Sequence, residues 1–296
     1  MRFAFSCLLI ALLFTRPAIA DVDPSWTTPI APFQIADNLY YVGSQGLASY
    51  LVVTPKGSIL INADLATSPH QIKASVEKLG FRWKDIKILL NSQAHDDHMG
   101  GAAEIIRETH AKNVVMDGDV SVVESGARTD FLFPSPNIPL YPPSHVDRVL
   151  HDRDAVSLGG VTLMAHKTAG HTRGCTTWTM RAHLPGEPVG TTRDIVIVGG
   201  TGFWSEYYFV ATAGHHVSYP GIVQDFQHTF AELHRLPCDV FLGAHGVYFD
   251  LHRKLQLYSK DGPRVFIDPD GYKRFVATAQ DNFKKELNKQ RAAVAH

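Results

Sequence analysis

The sequence predicts an α/β fold of four layers, two β-sheets face to face with helices outside both (αββα). Three observations lead there. Short β-branched and aromatic runs split by turn residues open the chain, and strands then alternate with amphipathic helical segments. The second half repeats that order. Histidines that follow apolar strands are evenly placed, with 72 residues between His98 and His171 and 73 between His171 and His245.

The first segment is not part of the fold. Met1-Arg2 is a short basic start, Phe3 to Phe14 is almost wholly apolar, and Ala18-Ile19-Ala20 matches a small-x-small cleavage pattern. This predicts a signal peptide over residues 1–20, export to the periplasm, and one domain over 21–296. No later stretch is long and apolar enough to span a bilayer. Leu39-Tyr40-Tyr41-Val42, Ser49 to Val53 and Ser58 to Ile61 follow as strands, with Thr54-Pro55-Lys56-Gly57 as a hairpin connection. Ser68-Pro69 starts a helix, serine as cap and proline at the first position, with Ile72, Val76 and Leu79 on its apolar face and Gly80 ending it.

Ile86 to Leu90 is a buried strand, a helix runs from about Ala102 to Thr109, and Asn113 to Met116 is the next strand. Val161 to Ala165, Thr176 to Met180 and Ile195 to Val198 are strands of the second half. Ile222, Phe226, Phe230 and Leu233 recur at helical spacing, Val240-Phe241-Leu242 is a short buried strand, and a last helix spans about Gly271 to Gln290. The segment Arg128 to Pro143 holds five prolines together with Phe131, Phe133, Ile138 and Tyr141. It is expected to form a flap beside the active site; the alternative is a loop packed on its own domain.

Charge and cysteine content narrow the function classes. Without Arg2 and Arg16 the 28 basic residues become 26 against 29 acidic ones, a mature charge of 26 − 29 = −3, which leaves no basic footprint for nucleic acid. Only Cys175 and Cys238 remain after cleavage, and both are expected to be small buried thiols rather than a bridge.

The chemistry concentrates in Gln93-Ala94-His95-Asp96-Asp97-His98, followed by Met99-Gly100-Gly101. Potential ligands crowded on a turn at a strand's end converge on one point. His171, in Ala169-Gly170-His171-Thr172, and His245, in Gly243-Ala244-His245-Gly246, also follow apolar strands. Zinc takes neutral imidazole and carboxylate in catalytic sites, whereas a structural site favours cysteines, and none lie here. The pattern suggests a two-metal hydrolytic centre. His166 is expected to be a core histidine with one partner, and Asp96 and the pair His215-His216 to face solvent.

The stretch Gln93 to His98 resembles the His-x-His-x-Asp-His signature of the metallo-β-lactamase superfamily, and the likeness runs over nearly the whole mature chain. Ser25-Trp26 through Pro32 to Ala36, Thr168 to Gly174, and Leu236 to Val240 resemble subclass B3. Glutamine at the first signature position and Asn62 are similar to its Gln-variant, GOB-like branch. The resemblance implies the metallo-β-lactamase fold and two Zn2+ ions, one on Gln93, His95 and His171, the other on Asp97, His98 and His245. An amide oxygen is a weaker ligand than imidazole, so the first site is expected to be the weaker. Asn62 and Asp64 depart from the superfamily's usual Asp-x-Gly turn, so its support of the ligands is expected to differ. Relatives that bridge both metals with a later aspartate have no counterpart here, since Val198-Gly199-Gly200-Thr201-Gly202 lacks a carboxylate.

The implied activity is hydrolysis of the β-lactam amide of penicillins, cephalosporins and carbapenems by metal-bound hydroxide, conferring antibiotic resistance, with Asp97 orienting the nucleophile and passing a proton. Thr201 is expected to help hold the substrate carboxylate, Trp26 and Tyr141 to contact substrate side groups, and Phe203, with Trp204, to line the cleft. The expected partner is the small-molecule substrate, with no nucleic acid or membrane, and the protein is expected to be a monomer. Competing readings are a lactonase or thioesterase on the same fold, or a zinc-binding protein whose centre is too weak to catalyse.

Overall fold

The computed structural model describes residues 23–132, 137 and 139–294. The signal peptide and cleavage point expected at residues 1–20, and part of the proline-rich segment, lie outside the described residues. Among those described, no helix is long and apolar enough to cross a membrane.

The first sheet contains β1 (Phe33–Ala36), β2 (Leu39–Tyr41), β3 (Tyr50–Thr54), β4 (Gly57–Ile61), β5 (Ile86–Leu90), β6 (Lys112–Met116) and β7 (Arg148–Leu150), hydrogen-bonded in that order. Its opening strands pair antiparallel through tight connections. From β4 onward the pairing is parallel, which needs crossovers. Helix α1 (Pro69–Lys78) forms one crossover; α2 (Asp96–Met99) and α3 (Ala102–Thr109) form the next; α4 (Val120–Ser125) lies in the third. The second sheet has the order β12-β11-β10-β9-β8, from β8 (Ala155–Leu158), β9 (Val161–Lys167), β10 (Thr176–Ala182), β11 (Arg193–Val198) and β12 (Val240–Gly243). Helices α5 (Ile222–Arg235), α6 (Leu251–Asp261) and α7 (Pro269–Val294) complete the chain.

Two buried clusters show that the four layers are present. One lies between the sheets and under α5 and α7, with Tyr50, Trp178, Ile197, Phe226 and Phe241 in it. The other lies between the first sheet and α1, α3 and α4, with Ile72, Val76, Ile105, Val115 and Val123. The stripe expected on α5 is buried at Ile222, Phe226, Phe230 and Leu233. Burying an aromatic or leucine side chain of this kind contributes about 1.5–3 kcal/mol.

The local expectations needed adjustment in places. Ser68 precedes α1 in helical geometry (φ −81°, ψ −22°) and makes no side-chain cap bond, since capping by Oγ requires a more extended backbone. The Thr54–Gly57 turn is closed as expected, with the Thr54 hydroxyl donating to the Gly57 carbonyl at 2.7 Å. Cys175 and Cys238 are both free thiols, the first buried. His166 is buried with two partners rather than one, Glu232 Oε1 at 3.0 Å and Thr179 Oγ1 at 2.9 Å. The described ends of the proline-rich segment pack on the protein itself: the Phe131 ring meets Tyr219 at 4.9 Å and Tyr207 at 5.7 Å.

Candidate metal centre

The loops after β5, between β9 and β10, and after β12 meet at one end of the sandwich, and they carry every expected ligand. Backbone pairing sets their register. The Thr176 N–H donates to the Ser92 carbonyl at 2.8 Å, and the Trp178 indole N–H to the Asn91 carbonyl at 2.9 Å, which clasps the second sheet to the end of β5. The Ala48 N–H donates to the Ala244 carbonyl at 3.0 Å, and the Tyr50 hydroxyl to the Gly243 carbonyl at 2.7 Å, which brings the end of β12 onto the first sheet. Asn62 supplies the support that its departure from the usual turn left open. Its side chain accepts from the Ser92 N–H at 2.8 Å and donates to the Ala48 carbonyl at 2.8 Å, tying the signature turn to β3 and β4.

Three ligand atoms converge tightly. Asp97 Oδ2 lies 3.3 Å from His98 Nε2 and 3.3 Å from His245 Nε2, and the two nitrogens are 3.2 Å apart. Tetrahedral zinc with bonds of about 2.0–2.1 Å separates its ligand atoms by about 3.3–3.4 Å. The triangle therefore matches one face of such a shell. Among the described residues, this is the one group of three or more His, Cys, Asp or Glu side chains whose ligand atoms all lie within 4.8 Å of one another. The donor set, two imidazoles and a carboxylate, is that of a catalytic zinc with an open position.

His95 and His171 form the second half of the site, their rings 4.9 Å apart and nearly perpendicular. His171 Nδ1 donates to the Gly202 carbonyl at 2.8 Å, which leaves Nε2 as the lone-pair nitrogen. His95 Nε2 faces Asp130 Oδ2 at 3.6 Å. Gln93 is engaged within the signature turn. Its Oε1 accepts the His95 backbone N–H at 2.6 Å, and its amide donates to Asp97 Oδ1 at 3.4 Å. That oxygen closes a turn within the signature. The amide steadies Asp97 through the oxygen that does not face the histidines.

Burial disfavours charge throughout the site, and the neighbours decide where it persists. Burial alone would raise the Asp97 pKa, but His98 and His245 outweigh it and hold the carboxyl well below its usual range. Burial likewise opposes charge on His98, yet Asp97 prevails and raises it above an ordinary imidazole. His245 is lowered by burial. Burial pushes His95 down to about 4 and His171 down to about 3, so both are neutral near pH 7. A cation entering beside Asp97 must therefore displace a proton from His98. Zinc affinity at this trio is expected to rise with pH through the raised titration of His98, with proton release on binding. Competition titration against a chelating dye reads this directly, and a flat profile would refute it.

The expected substrate contacts sort differently. The Trp26 ring lies 5.7 Å from that of His245, beside the centre as expected. Tyr141 is corrected: only 3% exposed, it donates its hydroxyl to the Ala94 carbonyl at 2.6 Å and so supports the signature turn from below. Phe203 turns inward onto Phe209 at 5.4 Å and Phe226 at 6.0 Å, because an aromatic ring gains more in that apolar cluster than at a wet cleft. Its neighbour Trp204, 48% exposed, takes the place over the histidines, 5.2 Å from His171 and 6.0 Å from His95. Thr201 is buried and borders a cavity of about 810 Å³ along α7, whose lining includes none of the six expected ligands. Asp96 is exposed.

Sequence reasoning missed Asp119. This buried carboxylate accepts from the Thr172 hydroxyl at 2.8 Å and the Gly174 N–H at 2.8 Å. It thus braces the loop that carries His171 against the end of β6. The backbones approach so closely that a Cβ on Gly118 would lie 2.2 Å from the Arg173 carbonyl oxygen. The available signal was an acidic turn, Asp117-Gly118-Asp119, directly after a strand parallel to the one before the signature.

Residues 46–245 match the family model described as the metallo-beta-lactamase superfamily. The FEZ-1 metallo-beta-lactamase from Legionella gormanii is 46% identical, with a TM-score of 0.83 over 89% of this chain and 98% of that one. LRA-12, a class B3 di-zinc metallo-beta-lactamase from an Alaskan soil metagenome, is 33% identical (TM-score 0.80, over 92% of this chain and 98% of that one). The metallo-beta-lactamase GOB-18 from Elizabethkingia meningoseptica is 32% identical, with a TM-score of 0.80 over 96% of this chain and 100% of that one.

Proposed function

Because the chain belongs to the metallo-beta-lactamase superfamily, we propose that it is a zinc-dependent hydrolase that opens the β-lactam amide. The observation that carries this reading is the triangle of Asp97 Oδ2, His98 Nε2 and His245 Nε2, with sides of 3.2–3.3 Å, at the mouth of a family fold. A zinc ion held there supplies Lewis-acid polarisation and a source of hydroxide near neutral pH. The chain's own residues do the rest. Asp97 stays ionised across the working range, so its part is to accept a hydrogen bond from the attacking water and aim it, more than to store a proton. His171, locked in one tautomer by the Gly202 carbonyl, faces the same space with His95. Trp26 beside His245 and Trp204 over His171 give the polar centre two apolar walls suited to a bicyclic substrate.

The finer reading has two zinc positions of unequal strength. The trio is the tighter one, and His95 with His171 is the weaker, because Gln93 spends its oxygen on the His95 N–H. The substrates are penicillins, cephalosporins and carbapenems, and the enzyme acts as an exported monomer in the periplasm, where its activity confers antibiotic resistance. The basic, apolar and small-residue pattern of residues 1–20 supports export.

Turnover of one member of each antibiotic class by purified protein, before and after chelation and zinc restoration, tests the activity. Chelator-sensitive ring opening is expected. Turnover confined to lactones or thioesters, or zinc uptake without turnover, would overturn it. For the weaker position, Gln93→His is expected to raise bound zinc from about one towards two ions per chain at limiting zinc, by elemental mass spectrometry. Unchanged content would reject the inequality.

A further inference from the structure

The walls of the centre depend on a loop with little structure of its own. Residues 199–221, between β11 and α5, contain no helix or strand, yet they supply Trp204 over His171 and Tyr207 beneath it. Tyr207 is buried, and its hydroxyl donates to the His171 backbone carbonyl at 2.6 Å. A loop of this length is positioned only where outside groups hold its backbone. One side chain does this from the far end of the chain. Gln290, in the last turns of α7, accepts the Phe209 N–H at 2.7 Å and the Val210 N–H at 3.3 Å through Oε1, and donates to the Tyr207 carbonyl at 2.8 Å through Nε2. Its amide is thus paired with the loop as a strand edge would be. Glu286 Oε1 takes a further amide N–H at 3.1 Å and keeps the side chain aimed at the loop.

We infer that Gln290 is a positioning residue for the substrate wall, holding the 207–210 backbone so that Tyr207 supports the His171 carbonyl and Trp204 stands over the His171 ring. The Asp97, His98 and His245 trio does not depend on this clamp, since it is set by the β5 and β12 ends. Loss of the clamp therefore affects substrate fit before metal binding. No other described side chain outside the loop is hydrogen-bonded to the backbone of residues 207–210.

The test uses the full protein with Gln290→Ala and Gln290→Glu. The carboxylate retains an acceptor for the Phe209 N–H but cannot donate to the Tyr207 carbonyl. Gln290→Ala is expected to raise KM for a penicillin by about fivefold with kcat within about twofold and the tighter zinc, at Asp97, His98 and His245, retained, and Gln290→Glu to recover part of that loss. The KM arm rests on the β-lactam reading. A second arm does not: acrylamide quenching of Trp204, taken as the difference from a Trp204→Phe background, is expected to increase in Gln290→Ala. Should wild-type protein turn over no β-lactam, the quenching still decides. Unchanged quenching overturns the inference, and so does a KM change matched by the same change in kcat and a general fall in melting temperature.

Discussion

Replacing His245 with alanine is expected to lower β-lactam turnover by at least about a thousandfold, equivalent to about 4 kcal/mol of barrier. The reason lies in the geometry of the trio. Asp97 Oδ2 is 3.3 Å from each of two imidazole nitrogens, and removing one leaves a pair instead of a face of a tetrahedron. His245 enters from β12, so no neighbour on the signature turn can replace it. Its removal leaves the fold largely intact, because the residue is partly exposed at the mouth while its backbone stays paired with Leu47. Turnover measured with bound zinc per chain at fixed free zinc checks this. Near-normal turnover at full zinc would remove His245 from the centre.

Replacing Asp119 with alanine is expected to cost about 3 kcal/mol and to lower the melting temperature by about 6–12 °C. Two buried donors, from Thr172 and Gly174, lose their acceptor at once. A cavity of about 20 Å³ already borders Asp119, so a water can enter and offset part of the loss, which keeps the cost below the sum of two fully orphaned groups. Turnover is expected to fall as well, because the loop that carries His171 loses its brace. Burial pushes the Asp119 carboxyl up to about 7 against the pull of the Thr172 and Gly174 donors. The unfolded chain releases this proton in the ordinary carboxylate range, while the folded protein keeps it to about 7. Asp119 therefore favours the folded state most in acid, and that contribution is lost as pH rises through about 7. Asp119→Asn cannot titrate, so in zinc-free protein its stability deficit against wild type should shrink from about pH 5 to about pH 7. A constant or growing deficit would refute this account.

The turn that carries Asp97 and His98 was legible because it rests on short-range chemistry. His95, Asp97 and His98 share one turn, and strand-end histidines announce themselves by the apolar run before them. The helical stripe of α5 and the hairpin at Thr54–Gly57 were legible for the same reason, since periodicity and turn chemistry are local. The misreadings concern direction. Tyr141 and Phe203 are amphipathic or apolar rings whose side-chain orientation depends on cavities built by distant segments. An inward turn at Phe203 and an outward one at Trp204 differ by a single residue of register. The Gln93 oxygen accepts a backbone N–H two residues away, a bond that its place in the signature does not display.

The local pattern alone determined that this is a layered α/β chain with a metal-seeking turn after one strand and two further histidines at later strand ends. Periodicity, turn residues and ligand type are properties of neighbouring positions, and neighbouring positions are what a sequence displays. Only the tertiary structure decided which nitrogen of His171 faces the centre, that Asp119 and Gln290 hold its loops, and which indole covers it. Those outcomes depend on hydrogen bonds between segments far apart in the chain, such as Gln290 with Tyr207 and Asp119 with Gly174, whose partners are set by packing rather than by spacing.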